Sequence, residues 1–211
     1  IGSFSEEAYK FVDFLKDSKQ QYWQILPIGP TSYGDSPYQS FSTYAGNPYF
    51  ISLEELIEQK LLTEKECDKV DFGNKIDKVD YEKLYNGRFK LLKKAYKRSN
   101  IREREEFKKF KDENQYWLND YAMFMAIKER FKGQSFDNWA EDIKLRWGYS
   151  MEYYQNELKE EIEFYEFVQY EFYRQWYKLK KYANDNGVKI IGDIPIYVAY
   201  DSADVWTNRF D

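Results

Sequence analysis

Two apolar runs of strand length stand far apart in this chain, and nearly everything between them repeats with helical period. The first, Tyr22-Trp23-Gln24-Ile25-Leu26, stops at Pro27; the second, Val188-Lys189-Ile190-Ile191, stops at Gly192. A short apolar run bounded by turn residues reads as a buried strand. Two strands joined through a long helical crossover point to parallel pairing, because a tight hairpin cannot connect parallel neighbours. The order strand, helices, strand therefore predicts an α/β fold.

The helical signals are specific. Phe4, Ala8, Phe11, Val12 and Leu15 recur on one face of a helix spanning residues 3–19, and Ser3 with Glu6 has capping-box spacing. Thr63 with Glu66 repeats that spacing. From about Leu53 to Lys181 helices dominate: Leu84, Leu91, Leu92 and Ala95 share a face, as do Leu118, Ala122, Met125 and Ala126. Gly133 reads as a helix C-cap, with a new start at Ser135 or Asp137, and a long aromatic helix from about Glu160 to Tyr182 should end at Asn186-Gly187. A closed eight-stranded α/β barrel needs about 250 residues, whereas this sequence has 211 residues and two convincing strands. It is either a small α/β protein with a very large insertion or one part of a barrel, and the second reading is the better.

Composition narrows the chemistry. With no histidine, the chain offers no imidazole for acid–base work or zinc ligation. Cys67 is the sole cysteine, so no disulfide framework exists, and a reducing cytoplasm is the natural compartment. The net charge of −5 and the absence of a basic block argue against nucleic acid. Arg102–Lys111 is rich in both signs and reads as a solvated helix face. No apolar run approaches the ~20 residues of a membrane span. Neither a glycine-rich phosphate loop nor a ligand cluster implies a cofactor or a metal. Aromatic residues make up 20% of the chain; they can fill helical cores or stack on sugar rings, and composition does not choose.

Both strand candidates give way to loops rich in Gly, Pro and polar residues. In α/β folds the working loops gather at the carboxyl ends of strands, so Leu26–Tyr38, within the long loop Ile28–Pro48, and Gly192–Trp206 should face one site. A stretch of ~20 residues without regular structure inside a compact domain is usually functional. Asp193, two residues past Ile191, is a ligand candidate, with turn capping as the alternative. Asp35, Ser36 and Tyr38 lie in a Gly-Asp-Ser-Pro-Tyr turn, where Asp35 reads as an Asx-turn residue. Tyr33 and Tyr38 flank that turn, suited to stacking on a sugar or to packing. Asp201 and Asp204 read as a helix N-cap and a first-turn residue.

Two of these segments carry a resemblance. Tyr22–Phe50, YWQILPIGPTSYGDSPYQSFSTYAGNPYF, resembles the N-terminal signature of the 4-alpha-glucanotransferases (amylomaltases), family 77 of the glycoside hydrolases. Lys189–Trp206, KIIGDIPIYVAYDSADVW, resembles the family's next signature, and the helix FVQYEFYRQWYKLKKYAND before it is also similar. Both flanks match closely and about Asp68–Asp142 only loosely. The resemblance implies part of a (β/α)8 TIM barrel with a large helical insertion subdomain: barrel over residues 1–52, insertion over 53–158, barrel resumed over 159–211. It implies transfer of α-1,4-glucan segments between maltooligosaccharides by a retaining double displacement, with no cofactor. By motif position Tyr38 would stack on the sugar at the cleavage subsite with Ser36 beside it, Asp193 would bind sugar hydroxyls there in a supporting catalytic role, and Tyr33 would belong to an outer glucan site.

The departures matter equally. The family's nucleophile lies in an Arg-x-Asp-His-Phe-Arg type motif and a further Asp in a Thr-His-Asp-Asn type motif, and a chain without histidine contains neither; its acid lies in an Ala-Glu-Asp type motif, a triplet that here occurs only at Ala140-Glu141-Asp142, in the loosely matched middle. They are expected beyond Asp211, so the segment alone should neither transfer glucan nor fold stably. A hydrolase of the same barrel clan, or a non-catalytic carbohydrate-binding scaffold, remain the alternatives, and oligomeric state is not indicated.

Overall fold

A computed structural model of the chain describes residues 2–32, 34–75 and 77–209. Its helices are α1 (Glu6–Asp17), α2 (Leu53–Glu58), α3 (Glu64–Cys67), α4 (Tyr81–Arg98), α5 (Glu105–Arg130), α6 (Glu141–Lys144), α7 (Gly148–Glu157), α8 (Lys159–Asp185) and α9 (Ala203–Thr207). Strands β1 (Tyr22–Gln24) and β2 (Lys189–Ile191) pair in parallel, Trp23 opposite Ile190. The ladder continues one step each way, Lys189 N–H donating to Gln21 O (2.8 Å) and Ile25 N–H to Ile191 O (3.0 Å). The parallel pairing agrees with the order of elements. The expectation of fully buried strands does not hold among the described residues, since Tyr22, Leu26 and Ile191 are about half exposed.

The chain divides into two compact units, each assembled from three separate stretches. The first unit comprises Ile1–Leu26, Asn47–Arg104 and Tyr170–Asp193. Its core joins Ala8, Val12 and Leu15 of α1, Leu91, Leu92 and Ala95 of α4, and Phe172, Leu179 and Ala183 of α8. Phe4 packs against Phe172 at 5.2 Å between ring centroids, and Tyr182 Oη donates to Asp13 Oδ1 at 2.6 Å, fastening α1 along α8. Helix α1 starts later than the sequence suggested, at Glu6 after the N-cap Ser5. Phe4 N–H is already bound to Phe50 O at 2.7 Å, which holds residue 4 outside the helix and leaves the Ser3/Glu6 box unused. The Thr63/Glu66 box, by contrast, is formed at α3.

The second unit comprises Pro27–Gly46, Glu105–Gln169 and Ile194–Asp211. An aromatic cluster fills it: Phe124 of α5 meets Trp139 at 5.5 Å, Trp206 at 5.9 Å and Phe136 at 6.4 Å. Trp206 is 1% exposed, and its indole N–H donates to Ile143 O at 3.1 Å, satisfying the one polar atom that burial would otherwise penalise. At these positions the high aromatic content is core packing. Helix ends follow the sequence: Gly133 and Gly187 take positive φ of 77° and 79°, where a side chain would be strained. The basic-acidic stretch before Lys111 is mostly solvated, but Lys111 itself pairs at 2.6 Å with the buried Glu166. No helix of the described residues is long and apolar enough to cross a membrane.

Candidate functional site

Because β1 and β2 run parallel with Gln24 opposite Ile191, the segments that follow them leave from the same end of the pair. Asp193 lies two residues past β2, outside regular structure and exposed. Its backbone position at a strand's carboxyl end is the one the sequence pattern indicated.

The segment that follows β1 is closed rather than slack. Thr31 and Ser40 form an antiparallel bridge, and Ser32 N–H donates to Gln39 O at 2.9 Å. Between these stems the chain reverses through Gly34 (φ 85°) and Asp35 (φ 55°). Asp35 N–H reaches Ser32 O at 3.2 Å, while the side-chain contact that tightens the turn comes from Ser36, whose Oγ accepts from Tyr38 N–H at 3.3 Å. Asp35 therefore contributes its left-handed backbone, and Ser36 supplies the side-chain contact expected of an Asx turn. Gly29 permits the stems to approach, since a Cβ there would sit 2.9 Å from Ser40 Oγ. Tyr38 is 45% exposed at the end of this turn, with Ser36 half-buried beside it. Tyr33, also expected here, lies outside the described residues.

Behind the turn, residues 40–46 are pinned at successive points. Ser40 Oγ donates to Ser42 O at 2.7 Å, and Ala203 N–H donates to Phe41 O at 2.8 Å. Thr43 N–H donates to Asp204 Oδ2 at 2.8 Å. Gln169, fully buried, accepts Gly46 N–H at 2.7 Å and donates to Gly46 O at 3.0 Å. Burial pushes the Asp204 carboxyl up from its ordinary value, against the opposing pull of Thr43's N–H and hydroxyl. Asp204 occupies the first turn of α9 as expected, but Ser202 is its N-cap, accepting from Val205 N–H. Asp201, offered by the sequence as the cap, instead accepts from Lys128 Nζ at 2.5 Å and from Phe136 N–H at 3.1 Å. Lys128 is 6% exposed, so its charge needs that partner, and no local pattern around DSADVW reveals a lysine 73 residues away.

Ser36 and Tyr38 are thus brought together, in the second unit, while Asp193 closes the first unit. A tyrosine face and a serine hydroxyl, as in Tyr38 and Ser36, suit the apolar ring face and hydroxyls of a sugar. Retaining glycosyl chemistry needs two carboxyl groups about 5–5.5 Å apart; the predicted site residues include a single one, Asp193.

The family profile described as 4-alpha-glucanotransferase matches residues 1–210. The chain belongs to the 4-alpha-glucanotransferase family. A Clostridium butyricum protein named 4-alpha-glucanotransferase is 50% identical over 208 residues, covering 99% of this chain and 43% of its own length. A Thermus thermophilus protein of the same name is 42% identical over 212 residues, with 99% of this chain and 41% of the relative covered. Among solved structures, an amylomaltase from Streptococcus agalactiae in complex with acarbose superposes with a TM-score of 0.93 at 43% identity, covering 99% of this chain and 43% of that one. This glucanotransferase-family chain therefore spans less than half the length of the relatives it matches.

Proposed function

We propose that the protein carrying this chain transfers α-1,4-glucan segments between maltooligosaccharides by a retaining double displacement, and that these residues supply part of its glucan-binding cleft. In this reading the β1–β2 pair belongs to a (β/α)8 barrel, residues 53–158 are its helical insertion, and the nucleophile and acid/base lie elsewhere in the longer protein. Tyr38 stacks on the sugar at the cleavage subsite, Ser36 orients it, Asp193 binds its hydroxyls and Tyr33 serves an outer glucan site. The observation that carries the reading is 50% identity across 99% of the chain to a named 4-alpha-glucanotransferase. The parallel register of β1 and β2, which sends both site segments off the same strand ends, supports it.

The test is incubation of the full-length protein with maltotriose. Glucose together with maltooligosaccharides longer than the substrate is the expected product pattern; shorter products alone would make it a hydrolase, and no turnover would favour a binding scaffold. Covering a tyrosine face with a sugar ring removes roughly 80 Å² from water, about 2 kcal/mol at about 25 cal/mol per Å². Tyr38→Ala should accordingly lower kcat/KM about 30-fold.

A further inference from the structure

The loop that presents Tyr38 is tied to a second segment whose residues no catalytic reading uses. Helix α9 meets residues 41–43 through two bonds that run in opposite senses: its first residue, Ala203, donates to Phe41 O (2.8 Å), and Asp204 accepts from Thr43 N–H (2.8 Å). Helix α9 is itself immobilised. Trp206 is buried and bonded to Ile143 O, and Ser202, also fully buried, caps the helix. Just before it, Asp201 is locked to the buried Lys128 of α5, whose ammonium also lies over the rings of Phe41 and Phe124 at 5.2 and 5.6 Å. Phe41 is therefore held twice, through its carbonyl by Ala203 and through its ring by Lys128. All these residues belong to one compact unit.

We propose that Asp204 is a positioning residue for Tyr38: its carboxylate, held by α9 and braced through Asp201–Lys128 on α5, fixes residues 41–43 and through them the reach of the Tyr38 ring. The helices of the second unit then act as the rigid support of a sugar-binding loop, beyond forming a separate body. The proposal rests on the sugar-binding role assigned to Tyr38. Its logic is that loop atoms bound to a rigid helix at two adjacent positions lose the freedom to slide, and that small misplacements near a reacting centre carry large rate costs.

The experiment uses the full-length protein with Asp204→Ala, Asp204→Asn and Tyr38→Ala. Maltotriose disproportionation gives kcat and KM, and hydrogen exchange follows the peptide covering residues 38–46. Asp204→Ala should lower kcat about tenfold with KM changed less than threefold, and should speed exchange in 38–46 about tenfold while peptides of α5 exchange as before. Asp204→Asn keeps an acceptor for Thr43 N–H and should restore the slow exchange, with kcat within about threefold of the parent. Unchanged exchange and unchanged kcat in Asp204→Ala, beside an impaired Tyr38→Ala, overturns the brace and leaves the sugar-binding reading intact. Faster exchange with wild-type transfer in both alanine variants upholds the brace and overturns the role of Tyr38. Should Asp204→Ala fail to fold, Asp204→Ser, whose shorter side chain keeps a polar group but draws the acceptor back from Thr43 N–H, carries the same test: about threefold faster exchange in 38–46 supports the brace, and parental exchange overturns it.

Discussion

Gln169 shows how much of this site depends on residues that look ordinary in sequence. It sits inside a helix that reads as aromatic packing, yet its amide is fully buried and serves both backbone groups of Gly46. Gln169→Leu would keep the volume and leave a buried N–H and a buried carbonyl unpaired, each costing about 1–3 kcal/mol. Denaturant unfolding of the full-length protein should show a loss of about 3 kcal/mol; a loss below 1 kcal/mol would mean that Gly46 finds other partners. Gln169, Lys128 and Asp204 share the reason they were illegible. Their roles are set by partners 65 or more residues away in sequence, and a single sequence carries no signal of such pairing. Asp193 and Tyr38 stood out because they follow strands, a relation written locally. Asp201 was misassigned because Ser202 competes for the same cap and wins, leaving the carboxylate to the lysine.

At the scale of elements, periodicity and capping residues recovered most of the helices, since both act within a few turns. The capping box at Thr63 is realised and also explains a joint. Glu66 closes the box and then takes a two-pronged contact from Arg98 at the end of α4, 2.7 Å and 2.8 Å, with Lys94 at 3.4 Å. The Arg98 contact, aided by Thr63 and Lys94 and opposed by desolvation, holds the Glu66 carboxyl down at about 2. A carboxyl whose pKa is lower in the folded state contributes stability that is complete above its unfolded value and is lost as pH falls through the folded one. Glu66→Gln should therefore destabilise the protein at pH 7, with the difference from the parent shrinking only below pH ~4.5 and vanishing near pH 2. Melting curves across that range check it, and a pH-independent difference would assign the effect to packing rather than charge. The strands were less legible in extent than the helices. A strand's length is set by the partners it finds, and here each run pairs with one neighbour over three residues.

At the scale of the whole chain the question is which apolar surface would be covered in a protein of its relatives' length. Each compact unit draws on three stretches of chain, so neither can form until distant segments have met, and non-local closure of this kind slows folding. The segment after β2 is the least protected: Ile194 is 77% exposed, Ile196 88% and Tyr197 82%. Burying a side chain of this type is worth about 1.5–3 kcal/mol, so three of them left in water form a strong drive to associate. Residues 1–211 produced alone should therefore bind a hydrophobic dye and elute as aggregates, and Ile196→Asp should lessen both. The same substitution has the opposite consequence in the full-length protein if that surface is packed there. A charge would then be forced into an apolar contact, and the melting temperature should fall by several degrees. Ile196 thus distinguishes a surface that is merely uncovered in this stretch of chain from one that stays open to solvent in the full-length protein. Parental melting in the full-length Ile196→Asp variant would establish that the surface stays open.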